Sequence, residues 1–510
     1  MVLVVAAAWE RPDILNRLAR AAMAAACLVS LYVLVQAADL DWQTWTADFR
    51  LPDYPGSTLG NSNFAGGYIA VALPLSIFVT LRARPGRPRA ALATLCGVQG
   101  LALFYTGTRG GMLGALAGVV AMVLIARRDL PSWAAVAAGG SVAAVLLACV
   151  LVVWHPGLGQ APGPLARVST STLENRVRYW GAAWRIFGDH PLHGTGPDTF
   201  YAYYPKYRPE ADAVKNTLAI TDKPHNIFLE YAAAAGVPGI VTYLALLALA
   251  FGYGMRRLRS AGPDERLLLV CLLGALVAYC VQGFFSIDVP SSAFMGWMVL
   301  GAIAALADPG VLRSRHRLEA TATKAPMRLS TRWMIHTATA AGTVGLLLVG
   351  SRPLRADVEA HAGRLEAAMA LQPLEAEYRS RAGDLERSIA VASTDPAERV
   401  RHLRKAQEHS LAARSLQPGN FDYSWDLARV NSIWAMTIDT ARFPEAERWW
   451  RRALADDPRD PAMAAEHRRA VAEMRARAAE LEGLAMLHND ANAWAQAATA
   501  YRGLGDTERA

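Results

Sequence analysis

Through residue 350 the chain alternates between long apolar runs and short arginine-bearing connections; after that the pattern changes. Apolar runs of the length a bilayer requires, about 17 to 20 residues, fall near 20–37, 63–81, 90–107, 110–126, 133–153, 237–255, 266–285, 291–308 and 333–350, which predicts nine membrane helices. The connections Arg11 to Arg20, Arg82 to Arg89, Arg127 and Arg128, Arg256 to Arg259, and Arg313 to Arg332 carry the basic residues, each separated from the next by a pair of runs. Loops rich in arginine stay on the cytoplasmic side. The remaining connections, Ala38 to Ser62, His155 to Val237 and Ser286 to Ser292, are therefore expected on the opposite face, together with everything after about Ser351.

From Ser351 onward Ala, Arg, Glu and Leu dominate, and apolar positions recur at helical spacing. The phrases EAAMALQP, LAARSLQP and RRALADDP end at Pro373, Pro418 and Pro458, each predicting a helix closed by proline. Their spacings of 45 and 40 residues exceed the roughly 34 of a regular tetratricopeptide repeat. The tail resembles an α-solenoid of irregular tetratricopeptide-like repeats, an architecture that binds partners. The division expected is a membrane domain over 1–355, carrying a large extracytoplasmic loop over 155–237, and a second extracytoplasmic domain over 356–510.

Composition agrees: 53% of the 510 residues are hydrophobic, too many for an ordinary soluble enzyme. The net charge of +8 lies mainly in the connections, and no nucleic-acid-binding module accompanies it, so nucleic acid is not an expected partner. Cys27, Cys96, Cys149, Cys271 and Cys280 all lie in apolar stretches without C-x-x-C spacing, which indicates neither a disulfide framework nor a zinc site. The opening MVLVVAAAWERPD lacks the charged start of a signal peptide and is too short to span; it reads as the end of a helix whose beginning is missing.

Candidate chemistry concentrates in the loop from His155 to Val237. It carries Glu174, Arg176, Arg178, Asp189, His190, His193, Asp198, Lys206, Arg208, Asp222, Lys223 and His225, interleaved with Tyr179, Trp180, Trp184, Phe200, Tyr201, Tyr203, Tyr204 and Tyr207. Such rings stack on sugars or sit at the headgroup level. His190, His193 and His225 do not present the paired spacing of a zinc helix, and no G-x-S-x-G occurs, so neither a metal site nor a serine nucleophile is expected. Arg109, in TGTRGG between two apolar runs, is placed beside hydrocarbon, where an arginine either snorkels or meets an anion. Lys223 to Gly239, KPHNIFLEYAAAAGVPG, sets His225 and Asn226 at the lip of a membrane helix and adds a Gly-x-x-G after it.

The run H-N-x9-G-x-x-G from His225 to Gly239 resembles the signature of the bacterial O-antigen ligase superfamily. TGTRGG and E-N-R-V-R-Y-W followed by DHPLHGTGPDTF are similar to two further elements of that family, and residues 55 to 300 carry the likeness. The resemblance implies an all-α, polytopic, GT-C-like helical bundle in the bacterial inner membrane, with the active loop periplasmic. It implies a glycan donor on undecaprenyl pyrophosphate and an acceptor hydroxyl on a glycan, lipid or protein, with no metal and no cofactor. Arg109 and Arg176 would bind the pyrophosphate, with Arg178 assisting. His225 would take the acceptor's proton or hydrogen-bond the leaving group, and Asn226, Lys223 and Trp180 would contact substrate. Alternatives stay open: a capping or core position for His225, and an ion pair with Glu174 or Asp189 for Arg176. A polymerase using the same donor and a scaffold recruiting proteins through its tail are the competing functions. The family usually has more amino-terminal spans, and the tail is an addition to its core.

Overall fold

The computed structural model describes residues 13–41, 55–127, 171–210, 221–307, 351–353 and 355–506, with 4, 345, 508 and 509. Among these, the regular elements are helices: α1 (Ile14–Ala37), α2 (Ser62–Arg82), α3 (Arg87–Tyr105), α4 (Arg109–Ala126), α5 (Ser171–Asp189), α6 (Phe200–Tyr207), α7 (Ile227–Arg257), α8 (Pro263–Phe284), α9 (Pro290–Ala307), α10 (Leu365–Leu371), α11 (Ala376–Ala392), α12 (Pro396–Leu416), α13 (Phe421–Thr437), α14 (Phe443–Asp456), α15 (Pro461–His488) and α16 (Ala491–Gly503). They form two compact units, one of Met1–Pro197 with Lys223–Lys324, the other of Asp198–Asp222 with Ala325–Ala510. Residues 198–222, inside the loop expected over 155–237, belong to the second unit.

Among the described residues of the first unit five helices, α1, α2, α4, α7 and α8, are long and apolar enough to cross a membrane, and α9 adds a shorter apolar stretch. The nine runs expected from sequence are therefore not all matched: α3 begins with the polar Arg-Pro-Arg and does not join the five, while 133–153 and 333–350 lie outside the described residues. Hydrophobic burial cannot hold helices together in lipid, so close backbone approach and buried polar contacts take over. On α4, Gly110, Gly114 and Gly118 recur every four residues along the face against α8. A methyl carbon at Gly114 would stand 2.8 Å from the Ala278 carbonyl oxygen, and one at Gly118 2.7 Å from that of Gly274. Gln99 of α3 bridges neighbours in the same way, donating to Cys27 Sγ at 3.4 Å and accepting from Ser76 Oγ at 3.0 Å. Gly118→Leu is expected to force α4 from α8 and lower the thermal unfolding midpoint in detergent, whereas Gly97→Leu, at a position where a Cβ meets no described residue within 4 Å, should leave it unchanged.

The bundle has two chemically distinct ends. At one, Arg82 pairs with Asp264 and Arg257 grips Glu265 in a two-pronged contact of 2.7 and 2.9 Å. At the other lie the starts of α4 and α7 and the end of α8, since Gly110 lies against Phe285 and Ile227 against Gly283.

In the second unit α10, α12 and α14 end at Gln372, Gln417 and Asp457 with nearly identical backbone angles, φ −133 to −134° and ψ 75 to 81°, each immediately before a proline. A residue before proline is driven out of the helical region, which stops the helix there. Three residues after each of these ends, Glu375, Asn420 and Asp460 cap the next helix with their side chains. The three sequence phrases are three copies of one helix corner. Phe443, Trp450, Met463 and Met474 fill the core beside the later corners.

Asp426, also buried in this unit, accepts a 3.0 Å hydrogen bond from Ser380. Burial first, then the Asp384 carboxylate, push its carboxyl up to about 7. The folded state therefore holds a proton that the unfolded chain, with an ordinary pKa near 3.9, releases earlier. The stability tied to that proton is fully present below about pH 4 and is lost as pH rises through about 7. Asp426→Asn is expected to be more stable than wild type at pH 8, by up to about 4 kcal/mol, and to match it near pH 4. Chemical unfolding followed by tryptophan fluorescence at both pH values checks this.

Candidate functional site

The lip of α7 is built by a division of labour between adjacent residues. Asn226 is buried and caps the helix, its Oδ1 accepting from the backbone N–H of Phe228 at 3.0 Å and of Leu229 at 3.1 Å. The capping alternative considered for His225 thus falls to its neighbour. His225 stands in left-handed backbone geometry, φ 54°, which an ordinary residue adopts at a cost. Its ring stacks on Tyr179 of α5, centroids 5.9 Å apart and planes 29° apart. Lys223 reaches over the first turn to Glu230 at 2.7 Å.

The glycines further along α7 explain the spacing of the motif. After nine residues of helix, Gly236 breaks the ladder with φ 64° and ψ −162°, angles open in practice only to glycine. The break leaves the Ala233 carbonyl and the N–H of Val237 without helical partners, and Pro238, which has no N–H, leaves the Ala234 carbonyl free. The turn that follows α5 supplies them: Thr195 N–H donates to Ala233 at 2.9 Å, Gly196 N–H to Ala234 at 2.9 Å, and Val237 N–H donates to Pro191 at 2.7 Å. A Cβ on Gly236 would lie 2.5 Å from the Pro191 oxygen. HPLHGTG and GVPG are two halves of one joint, and the joint fixes α5 in register with the start of α7.

Through that register α5 presents Arg176, Tyr179 and Trp180 inward, while Val177 and Trp184 stay exposed. Arg176 is half-buried; burial first, then the nearby Arg109 guanidinium, hold it below the usual arginine range. Arg109 is the first residue of α4, following the left-handed Gly107 and the buried Thr106 and Thr108, whose hydroxyls bond each other at 2.9 Å. The uncapped N-terminus of a helix adds backbone donors and a partial positive charge. Two mutually repelling guanidinium groups beside such an end form an arrangement that an anion stabilises.

The other expected contacts are placed differently. Glu174 pairs with Arg178 one helical turn away rather than with Arg176. Trp180 packs edge-on against Phe284 at 5.2 Å and beside Phe285 at 6.1 Å, and its buried indole N–H has no hydrogen-bond partner among the described residues. Near this end of the bundle is a group that sequence reasoning passed over: Asp288, in the turn between α8 and α9, accepts from Tyr279 at 2.7 Å and Ser292 at 3.0 Å. Tyr243 of α7 continues the chain at 3.2 Å and stacks on Tyr231, centroids 4.1 Å apart. Burial raises the Asp288 carboxyl above its ordinary range. An acid in a short turn between two apolar runs was the available signal.

Comparison with known proteins bears on the same stretch. Residues 92–244, which contain Arg109, Arg176 and His225, match the family model described as O-Antigen ligase. A curated O-antigen ligase of Pseudomonas aeruginosa is 26% identical over 276 residues, 54% of this chain. The chain spans 61% of that relative's length.

Proposed function

We propose that the protein is a membrane glycosyltransferase of the O-antigen ligase type, moving a glycan from undecaprenyl pyrophosphate to an acceptor hydroxyl on the extracytoplasmic face. The observation that carries this reading is the Arg109 and Arg176 pair at the start of α4, with His225 on the neighbouring lip, all inside the matched stretch. The opposite, arginine-rich end of the bundle supports a cytoplasmic placement for that end and an extracytoplasmic one for the site.

In this reading the acceptor oxygen bonds to the anomeric carbon as the bond from that carbon to the diphosphate oxygen breaks. The bonding electrons leave with the lipid diphosphate, and Arg109 and Arg176 stabilise the charge that develops there. His225 receives the hydroxyl proton, a role suited to an imidazole near neutral pH. Trp180 contributes a ring beside Phe284 and Phe285 against which a sugar can pack.

The test is incubation of the purified protein with a defined undecaprenyl-pyrophosphate glycan and candidate acceptors, followed by mass spectrometry. Transfer of whole chains to an acceptor is the expected outcome. Extension of the lipid-linked chain by single repeat units would replace ligase by polymerase, and no transfer with any acceptor would overturn the enzyme reading.

A further inference from the structure

Residues 198–210 lie in sequence between Arg176 and His225, yet they pack in the second unit, across its repeated helix corners. At the second corner the Tyr203 ring covers Gly419: a Cβ on that glycine would lie 2.9 Å from two ring carbons. Beside it the Tyr201 hydroxyl donates to Asp422 at 3.0 Å, and its ring sits 6.5 Å from Phe421. At the third corner Arg208, wholly buried, reaches Asp457 at 2.6 Å and Asp460 at 3.3 Å, both buried as well. Arg459 returns the contact, bonding the carbonyl oxygens of Lys206 at 3.2 Å and Arg208 at 2.5 Å, which close the last turn of α6.

The third corner departs from its equivalents in just these residues. Where the first two corners have Gln372 and Gln417, it has Asp457; where they have Leu374 and Gly419, it has Arg459. An aspartate at the C-terminal end of a helix opposes the helix dipole, and a buried carboxylate needs a partner. Arg208 supplies one. Neither charged group at this corner is what the repeat would carry for its own packing.

We propose that the second and third corners form a receptor for the chain's own segment 198–210, and that by holding α6 the second unit positions the loop joining α5 to α7. The consequence for transfer rests on the function proposed above. Tyr201, Tyr203 and Arg208 are positioning residues in this scheme: they act on the site through the loop.

Gly419 allows a test that leaves the charges alone. Its backbone needs no positive φ, so Gly419→Val meets chiefly the Tyr203 ring. In the full-length protein, Gly419→Val is expected to raise hydrogen–deuterium exchange across 200–207 by about tenfold or more and to lower kcat for transfer by a similar factor, with donor KM little changed. Adding Tyr203→Ala to Gly419→Val should remove the clash and restore both readings towards those of Tyr203→Ala alone. Arg208→Ala should reproduce the loosening by an independent route. Unchanged exchange in both Gly419→Val and Arg208→Ala overturns the proposal, as does a wild-type transfer rate while α6 exchanges freely. If the wild-type protein transfers no glycan, the function reading fails, and the exchange series alone then decides whether the corners hold the segment.

Discussion

Arg176→Ala is expected to lower kcat for transfer by about 10²- to 10³-fold, the loss typical when one preorganised donor to developing charge is removed. Arg109→Ala should cost about as much. Arg109 is close enough to depress the ionisation of Arg176, and in the proposed reading both contact the same diphosphate. Removing both should therefore cost less than the product of the single losses. Lysine at 176 keeps a charge but not the planar two-pronged donor, and an intermediate rate is expected. The measurement is single-turnover transfer from a lipid-linked donor at saturating concentration. A double alanine variant that keeps the wild-type rate would remove both residues from the chemistry.

His225→Ala is expected to reduce kcat by about 10²- to 10⁴-fold, the range for a lost general base. Alanine also changes the backbone preference, because φ at this position is 54°. His225→Asn separates the two effects, since asparagine tolerates left-handed geometry better than most residues. Equal loss in Ala and Asn variants assigns the effect to the ring; recovery in Asn assigns it to the backbone. The pH profile then distinguishes the roles. A proton acceptor loses the acidic limb of the kcat profile when replaced, whereas a phosphate-binding imidazole raises donor KM and leaves the limb in place.

Much of this arrangement is written in local chemistry. Runs of apolar residues specify α1, α2, α4, α7 and α8 because a bilayer demands a fixed length of internally hydrogen-bonded chain. The proline phrases specify the ends of α10, α12 and α14 because the restriction on the residue before proline is a nearest-neighbour effect. His225 and Arg109 stand out by residue type and position, and Arg176 stands out from the other loop residues through the resemblance. Asn226 was nominated beside them as a substrate contact, but its Oδ1 is engaged in capping α7, a choice that depends on where the helix begins.

What depends on side chains far apart in sequence needed the fold. The Gly-x-x-G of α7 is half of a joint whose other half lies about forty residues earlier, and only hydrogen bonding across the break reveals why both halves are glycine-rich. The nearness of Arg109 to Arg176, and the chain from Asp288 through Tyr279 to Tyr243, join groups on different helices. The partners of Arg208 stand some 250 residues away. Helix ends and span lengths follow from a residue and its immediate neighbours, so they can be read along the chain; which arginines come near each other, and which unit takes in residues 198–210, follow from packing, which brings together charges that the sequence keeps apart.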